Sequence, residues 1–222
     1  MAKKSSDLKK SQKTKDGLLE TLFYRKISMN ITKLLIKTNI TPNQVTFLSL
    51  VFALIAAVFF FLSYYGYKYL VIGAIFTQIA LLFDYVDGEI ARYKNLTSKF
   101  GGWFDCIADR IKYISMISAL SISLYLKTAN PIVLILGMFS ILNLLMMNIV
   151  RLAARHYIKP KFYYAVSIKK TYISEVATIS GIITIGALLN QVYYTLLIFA
   201  TLGVLVWLKQ MFDVFKRERK VK

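Results

Sequence analysis

Hydrophobic and polar positions alternate along this chain on a long scale. Six apolar runs, at 44–65, 69–91, 100–126, 131–155, 171–189 and 192–214, are separated by the polar breaks "YGYKY", "KNLTS", "TANP", "HYIKPKFYYAVSIKK" and "NQ". Each run, wound as a helix, is long enough to cross a hydrocarbon core about 30 Å thick. The pattern predicts an all-α, integral membrane fold of six transmembrane helices. No internal repeat is evident. Upstream, "GLLETLFYRKISMNITKLLIKTNI" mixes apolar and basic residues at helical spacing. That suits an amphipathic helix in the membrane interface, with its cations toward headgroups. Such a helix can equally pack on the rest of the protein. At 41–43, "TPN" interrupts it, because Pro42 disfavours helical geometry at Thr41. Thr41 is a candidate cap for the next helix, with Pro42 in its first turn.

The expected organisation is a disordered basic tail at 1–15, the interfacial helix at 16–40, a six-helix domain at 41–215 and a basic tail at 216–222. Composition agrees: 57% of residues are hydrophobic and mean hydropathy is +0.54, too apolar for an ordinary soluble domain. The formal charge of +18 points to anionic lipid rather than nucleic acid, since basic loops between apolar spans face headgroups. Cys106 is the single cysteine, which rules out an intrachain disulfide. The start of the chain is basic rather than apolar, unlike a cleavable signal peptide.

Charge asymmetry sets an expected orientation. Of 29 Lys and Arg, ten precede residue 41, three flank the second break, six flank the fourth and six follow residue 208. Only Lys68 and Lys127 lie on the other side, while Arg110 and Lys112 fall inside the third run. By the positive-inside rule both termini are cytoplasmic.

Against this apolar background, "FDYVDGEIARYKNLTSKFGGWFDCIADR" carries four aspartates and Glu89. Asp84 and Asp87 are three apart near the end of run two; Asp105 and Asp109 are four apart near the start of run three. Each pair shares one helix face. A short connection makes the two helices antiparallel neighbours, so the pairs can face each other at the cytoplasmic side. Four bare carboxylates there would be costly. Divalent cations remove the cost, and an oxygen-only ligand set suits Mg²⁺ or Mn²⁺, two ions balancing four charges. Gly88, Ala91 and Gly101 leave space beside the acids, although small residues also serve helix packing in membranes. A metal transporter or channel would use acids too. Acids bunched at one end of two helices suit a site better than a pathway.

Asp84, Asp87, Gly88, Ala91, Arg92, Gly101, Asp105 and Asp109 read D-x2-D-G-x2-A-R-x8-G-x3-D-x3-D. This resembles the signature of the CDP-alcohol phosphotransferase family, as do the six-run layout and the "TPNQVT" leading into run one. The resemblance implies a six-helix, dimeric membrane fold. It implies transfer of a substituted phosphoryl group from a CDP-alcohol to an acceptor hydroxyl, with release of CMP. It further implies that Asp84, Asp87 and Asp105 hold the metals with help from Asp109, and that Asp109 is the general base. Gly88, Ala91 and Gly101 would make room for the cytidine diphosphate, with Asp84 beside it and Arg92 serving the nucleotide site.

The stretch from Asp87 to Arg110 is also similar to the branch of that family that handles inositol phosphates. Arg151 and Arg155, one turn apart and followed by His156, Lys159 and Lys161, form a candidate clamp for an acceptor phosphate. They also suit a positive-inside anchor. The alternatives are a phospholipid synthase taking CDP-diacylglycerol or CDP-archaeol with glycerol phosphate or serine, and a divalent metal transporter. A structural protein with a decayed site fits less well, because no motif position is missing. Cys106 reads as a packing residue. Glu175 is expected to pair with Arg110 or Lys112, or to line the acceptor pocket.

Overall fold

The computed structural model describes residues 24–157 and 175–218. The tail at 1–15, residues 16–23 of the expected interfacial helix, Lys159 and Lys161 lie outside the described residues. Among the described residues there are seven α-helices, one 3₁₀ turn (Ser63–Tyr65) and no strand: α1 (Arg25–Leu35), α2 (Pro42–Leu62), α3 (Tyr67–Tyr93), α4 (Lys99–Thr128), α5 (Ile132–Tyr157), α6 (Glu175–Leu188) and α7 (Val192–Glu218). Thr41 caps α2 as its local chemistry predicts. Its hydroxyl accepts from Gln44 N–H at 3.4 Å, and the Gln44 side chain accepts from Thr41 N–H at 2.8 Å. This reciprocal box, with Pro42 following, fixes where the helix begins.

Among the described residues, four helical segments are long and apolar enough to cross a membrane: Pro42–Tyr65, Tyr67–Tyr93, Ile132–Ala154 and Val192–Lys216. The helix α4 has 30 residues but carries Asp105, Asp109, Arg110, Lys112 and several serines, which lower its hydropathy. The described part of α6 has 14 residues, about 21 Å of helix at 1.5 Å per residue. The chain is an integral membrane protein.

The helix α2 packs against α3 and α4, α3 against α6, α4 against α5, and α5 against α7. The main core joins them through fully buried residues such as Phe60, Met116, Ile117, Ile183 and Leu196. Gly73 is needed there, because a Cβ at that position would stand 2.5 Å from the Phe60 ring. Between membrane helices the gain from such a ring is close packing rather than removal from water, so the missing methyl permits the contact. On the α5–α7 side, Asn143 Nδ2 donates to the carbonyls of Phe199 and Ala200 at 3.1 and 2.8 Å, and Trp207 donates to Asn143 Oδ1 at 3.0 Å.

The helix α1 lies on α3. Lys26, Lys33 and Lys37 are exposed, with Ile27 and Leu34, while Ile31 and Leu35 pack toward a second cluster of Val45, Val86 and Ile90. Arg25 departs from the expectation that the cations of this segment face outward. It is buried, and its guanidinium reaches Glu89 Oε1 at 2.8 Å. Ser28 donates to the same oxygen at 2.8 Å and Thr32 to Oε2 at 2.6 Å. The reason is Glu89: a carboxylate with 0% exposure demands partners, and one polar stripe of α1 supplies three.

Candidate active site

The short connection of residues 94–98 turns α4 back against the direction of α3; each of the two packs mainly on α2 rather than on the other, and Asp84, Asp105 and Asp109 converge beside it. Ser98 caps α4 by accepting from Gly101 N–H at 2.9 Å. Lys94 anchors the end of α3 by donating to the carbonyls of Thr38 and Ile40 at 2.8 and 2.9 Å.

Asp84, Asp105 and Asp109 converge: one carboxylate oxygen from each lies within 4.8 Å of the others. This all-oxygen donor set fits a hard divalent cation such as Mg²⁺ or Mn²⁺. Asp87 stands outside that trio. It is buried, and its Oδ2 accepts from the Thr46 hydroxyl of α2 at 2.6 Å. Thr46 therefore orients Asp87 from a third helix, a role that no local spacing advertises.

A cation of the protein's own is already at the cluster. Lys112, 4% exposed, places Nζ at 2.6 Å from Asp84 Oδ1 and 3.2 Å from Asp109 Oδ1. Its spacing of three from Asp109 was the available signal, since i and i+3 share a helix face. Below Asp84 and Lys112 is a small cavity whose lining includes Thr77, Tyr113, Val176 and Ser180, so the acidic cluster borders the start of α6.

The small residues have defined neighbours. A Cβ on Gly88 would meet Arg92 Nη1 at 3.0 Å, so this glycine gives room to the guanidinium one turn on. A Cβ on Gly101 would meet Ser98 Oγ at 3.1 Å and Asn43 Oδ1 at 3.2 Å, which makes it a close-approach point between α4 and the start of α2. Ala91 is half-buried on the last turns of α3, and Cys106 is half-buried on α4 between the two aspartates.

Glu175 does not pair with Arg110 or Lys112. Its carboxylate forms a two-pronged ion pair with Arg151: Arg151 Nη2 donates to Glu175 Oε1 at 2.6 Å, and Nη1 pairs with Oε2. Lys112 is committed to Asp84 and Asp109 instead, and the planar fork of Arg151 matches a carboxylate better. Arg151 is thus held at the α5–α6 contact rather than standing free. Arg155 lies in α5, but its side chain is outside the described residues.

Known proteins are similar in sequence and in fold. A bifunctional IPC transferase and DIPP synthase of Aquifex aeolicus is 34% identical over 109 residues, 49% of this chain and 24% of that protein. Its counterpart from Thermococcus kodakarensis is 31% identical over 135 residues, 61% of this chain and 29% of that protein. The match thus spans under a third of the length of these curated relatives. The crystal structure of Mycobacterium tuberculosis phosphatidylinositol phosphate synthase with CDP-DAG bound superposes with a TM-score of 0.70 at 18% identity, over 86% of this chain and 94% of that one. The same enzyme in complex with manganese and citrate gives 0.64 at 16% identity, over 85% of this chain and 88% of that one. A sequence model of the CDP-alcohol phosphatidyltransferase family matches residues 39–212, which include every aspartate of the cluster and all six apolar runs through residue 212. The chain belongs to that family.

Proposed function

We propose that this protein transfers a substituted phosphoryl group from a CDP-alcohol to a hydroxyl of an inositol phosphate, releasing CMP. The observation that carries the reading is the convergence of Asp84, Asp105 and Asp109 within 4.8 Å at one end of two antiparallel helices. Family membership and relatives named for inositol phosphate chemistry support it.

In this reading Asp84, Asp87, Asp105 and Asp109 hold two Mg²⁺ or Mn²⁺ ions. Bound there, such ions neutralise charge on the diphosphate and on the departing CMP. Gly88, Ala91, Arg92 and Gly101, beside Asp84, form the nucleotide side. Thr46 keeps Asp87 aimed from α2. The acceptor oxygen forms a bond to the alcohol-bearing phosphorus, the bond from that phosphorus to the bridging oxygen breaks, and CMP leaves with that oxygen. Asp109 takes the hydroxyl proton, acting as general base.

On the acceptor side, Arg151 and Arg155 bind the phosphate. Glu175 orients Arg151 through the two-pronged pair, and the cavity joining Asp84 and Lys112 to Val176 brings α6 next to the acids. The helices α4 and α6 complete six spans, both termini and the site are cytoplasmic, and the exposed face of α1 rests on the bilayer interface. The enzyme works as a homodimer.

A second reading keeps the chemistry and changes the donor to a lipid, CDP-diacylglycerol or CDP-archaeol, with glycerol phosphate or serine as further acceptors. The fold match to an enzyme crystallised with CDP-DAG favours a lipid donor. Purified protein tested against CDP-inositol, CDP-diacylglycerol and CDP-archaeol, with inositol phosphate, inositol, glycerol phosphate and serine, decides between them by CMP release. Chelation should abolish the release and Mg²⁺ or Mn²⁺ restore it. Metal flux in proteoliposomes without CMP release from any pair would instead mark a transporter.

A further inference from the structure

The acids of this site are not left to metal alone. Lys112 lies on α4 one turn beyond Asp109 and reaches across to Asp84 on α3, with ion-pair distances of 2.6 Å to Asp84 Oδ1 and 3.2 Å to Asp109 Oδ1. It is 4% exposed, and Asp109 is 8% exposed. The ammonium therefore sits inside the same cluster as the three converging carboxylates. Two of the three offer an oxygen to it, and its burial leaves the side chain little freedom to withdraw into water.

We propose that Lys112 is a built-in cation that limits the nucleotide-free site to one tightly held divalent ion, so that the second is retained only when a nucleotide diphosphate is present. The inference rests on the metal-dependent reading above and concerns a positioning residue. Its first support is charge. Four carboxylates and one ammonium carry a formal −3, so one divalent cation leaves −1 and a second would bring the cluster to +1. In a site shielded from water, like charges a few ångströms apart repel strongly. A diphosphate brings the negative charge and the oxygen ligands that a second ion then lacks. The second support is ligand supply. Asp84 Oδ1 and Asp109 Oδ1 are engaged by Lys112, and Asp87 Oδ2 is engaged by Thr46. Three of the eight oxygens on the four aspartates thus face a donor of the protein's own, while Mg²⁺ and Mn²⁺ favour six oxygen ligands. A diphosphate supplies the missing ones.

The arrangement has a functional consequence. A nucleotide-free site that already held two ions would bind free phosphate and diphosphate from the cell. A site completed by its own donor reaches full charge only when the substrate is in place. Lys112 also keeps Asp84 and Asp109 together while the second ion is away, so the cluster need not be rebuilt in each turnover.

Mn²⁺ titration of the full chain in detergent, read by electron paramagnetic resonance of free Mn²⁺ and by calorimetry, tests this without turnover. Wild-type protein should bind one Mn²⁺ tightly alone and two in the presence of CDP. Lys112→Met should bind two without nucleotide, the second about tenfold tighter or more than in wild type. Lys112→Gln is a second neutral variant that retains a hydrogen bond to the carboxylates, and it should behave alike. Two tight ions in nucleotide-free wild type, or unchanged stoichiometry in the neutral variants, overturns the role of Lys112 and leaves the metal site standing. Absence of any Mn²⁺ binding that Asp84→Asn and Asp105→Asn weaken overturns the metal reading itself.

Discussion

Glu89→Gln is a small change with a large expected cost. The carboxylate is wholly buried and accepts from Arg25 at 2.8 Å, Ser28 at 2.8 Å and Thr32 at 2.6 Å. An amide of the same shape keeps one acceptor oxygen and turns the other position into a donor facing a hydroxyl or the guanidinium. Arg25, 4% exposed, is then a buried charge without its counter-ion. Breaking a buried pair from one side costs about 3–5 kcal/mol. For a chain of this size that corresponds to a fall in Tm of about 10 °C. Removing both charges should recover much of the loss, because no unpaired charge then remains buried and the amide at position 89 can still bond Ser28 and Thr32. The assay is a double-mutant cycle of Glu89→Gln, Arg25→Met and the pair, read by thermal unfolding in detergent, with limited proteolysis near Lys26 reporting whether α1 has come off α3. A Glu89→Gln protein within about 1 kcal/mol of wild type, or a double variant no better than the worse single one, would refute the idea that this cluster holds α1 in place.

Three further outcomes follow from the site. Asp109→Asn should lower turnover by roughly 10²–10⁴-fold while CDP-alcohol binding with metal persists; a loss of nucleotide binding equal to that of Asp84→Asn would make it chiefly a ligand. Arg151→Lys should raise the acceptor KM about tenfold or more, since a point charge replaces a fork, and Glu175→Gln should do the same by releasing Arg151; unaltered acceptor kinetics in both would remove the clamp. A cysteine at Lys127 should react with an impermeant reagent from outside the cell and one at Lys99 only from the cytoplasmic side, and the reverse pattern would overturn the orientation.

Local spacing made much of this protein legible. Thr41 and Pro42 announce the start of α2, and the cap is there, with Gln44 adding a reciprocal bond not anticipated from the sequence. Among the described residues each of the six apolar runs contains helix, run five from Glu175 onward, because apolar stretches satisfy their backbone internally. The two aspartate pairs met only in part: Asp84 joins Asp105 and Asp109, Asp87 turns to Thr46, and the expected neighbours α3 and α4 are each packed mainly on α2. What sequence spacing does not carry is the choice of partner across helices. Glu175 was expected beside Arg110 or Lys112, yet it meets Arg151, 24 residues away, through the α5–α6 contact. Thr46 and Asp87 are 41 apart, and Arg25 and Glu89 64 apart. Such pairs depend on helix rotation about its axis, which an amphipathic pattern leaves loose when most of the helix surface is apolar. Lys112 was visible as a charge in an apolar run; its reach to Asp84 was not, because that requires the spacing between α3 and α4.

The ion pair between Asp84 and Lys112 also bears on how the chain enters a membrane. Both residues belong to one helical hairpin, α3 and α4, joined by the residues 94–98. A charged side chain inserted alone costs about 2.5–3.5 kcal/mol or more at the centre of a bilayer. A hairpin that closes early presents the insertion machinery with acid and base already joined at 2.6 Å, so part of the polar load moves as a neutral unit. A short loop closes quickly and at little entropic cost. The same lysine that balances the finished site would thus have served earlier, keeping Asp84 paired while the two helices settle at the cytoplasmic edge of the bilayer.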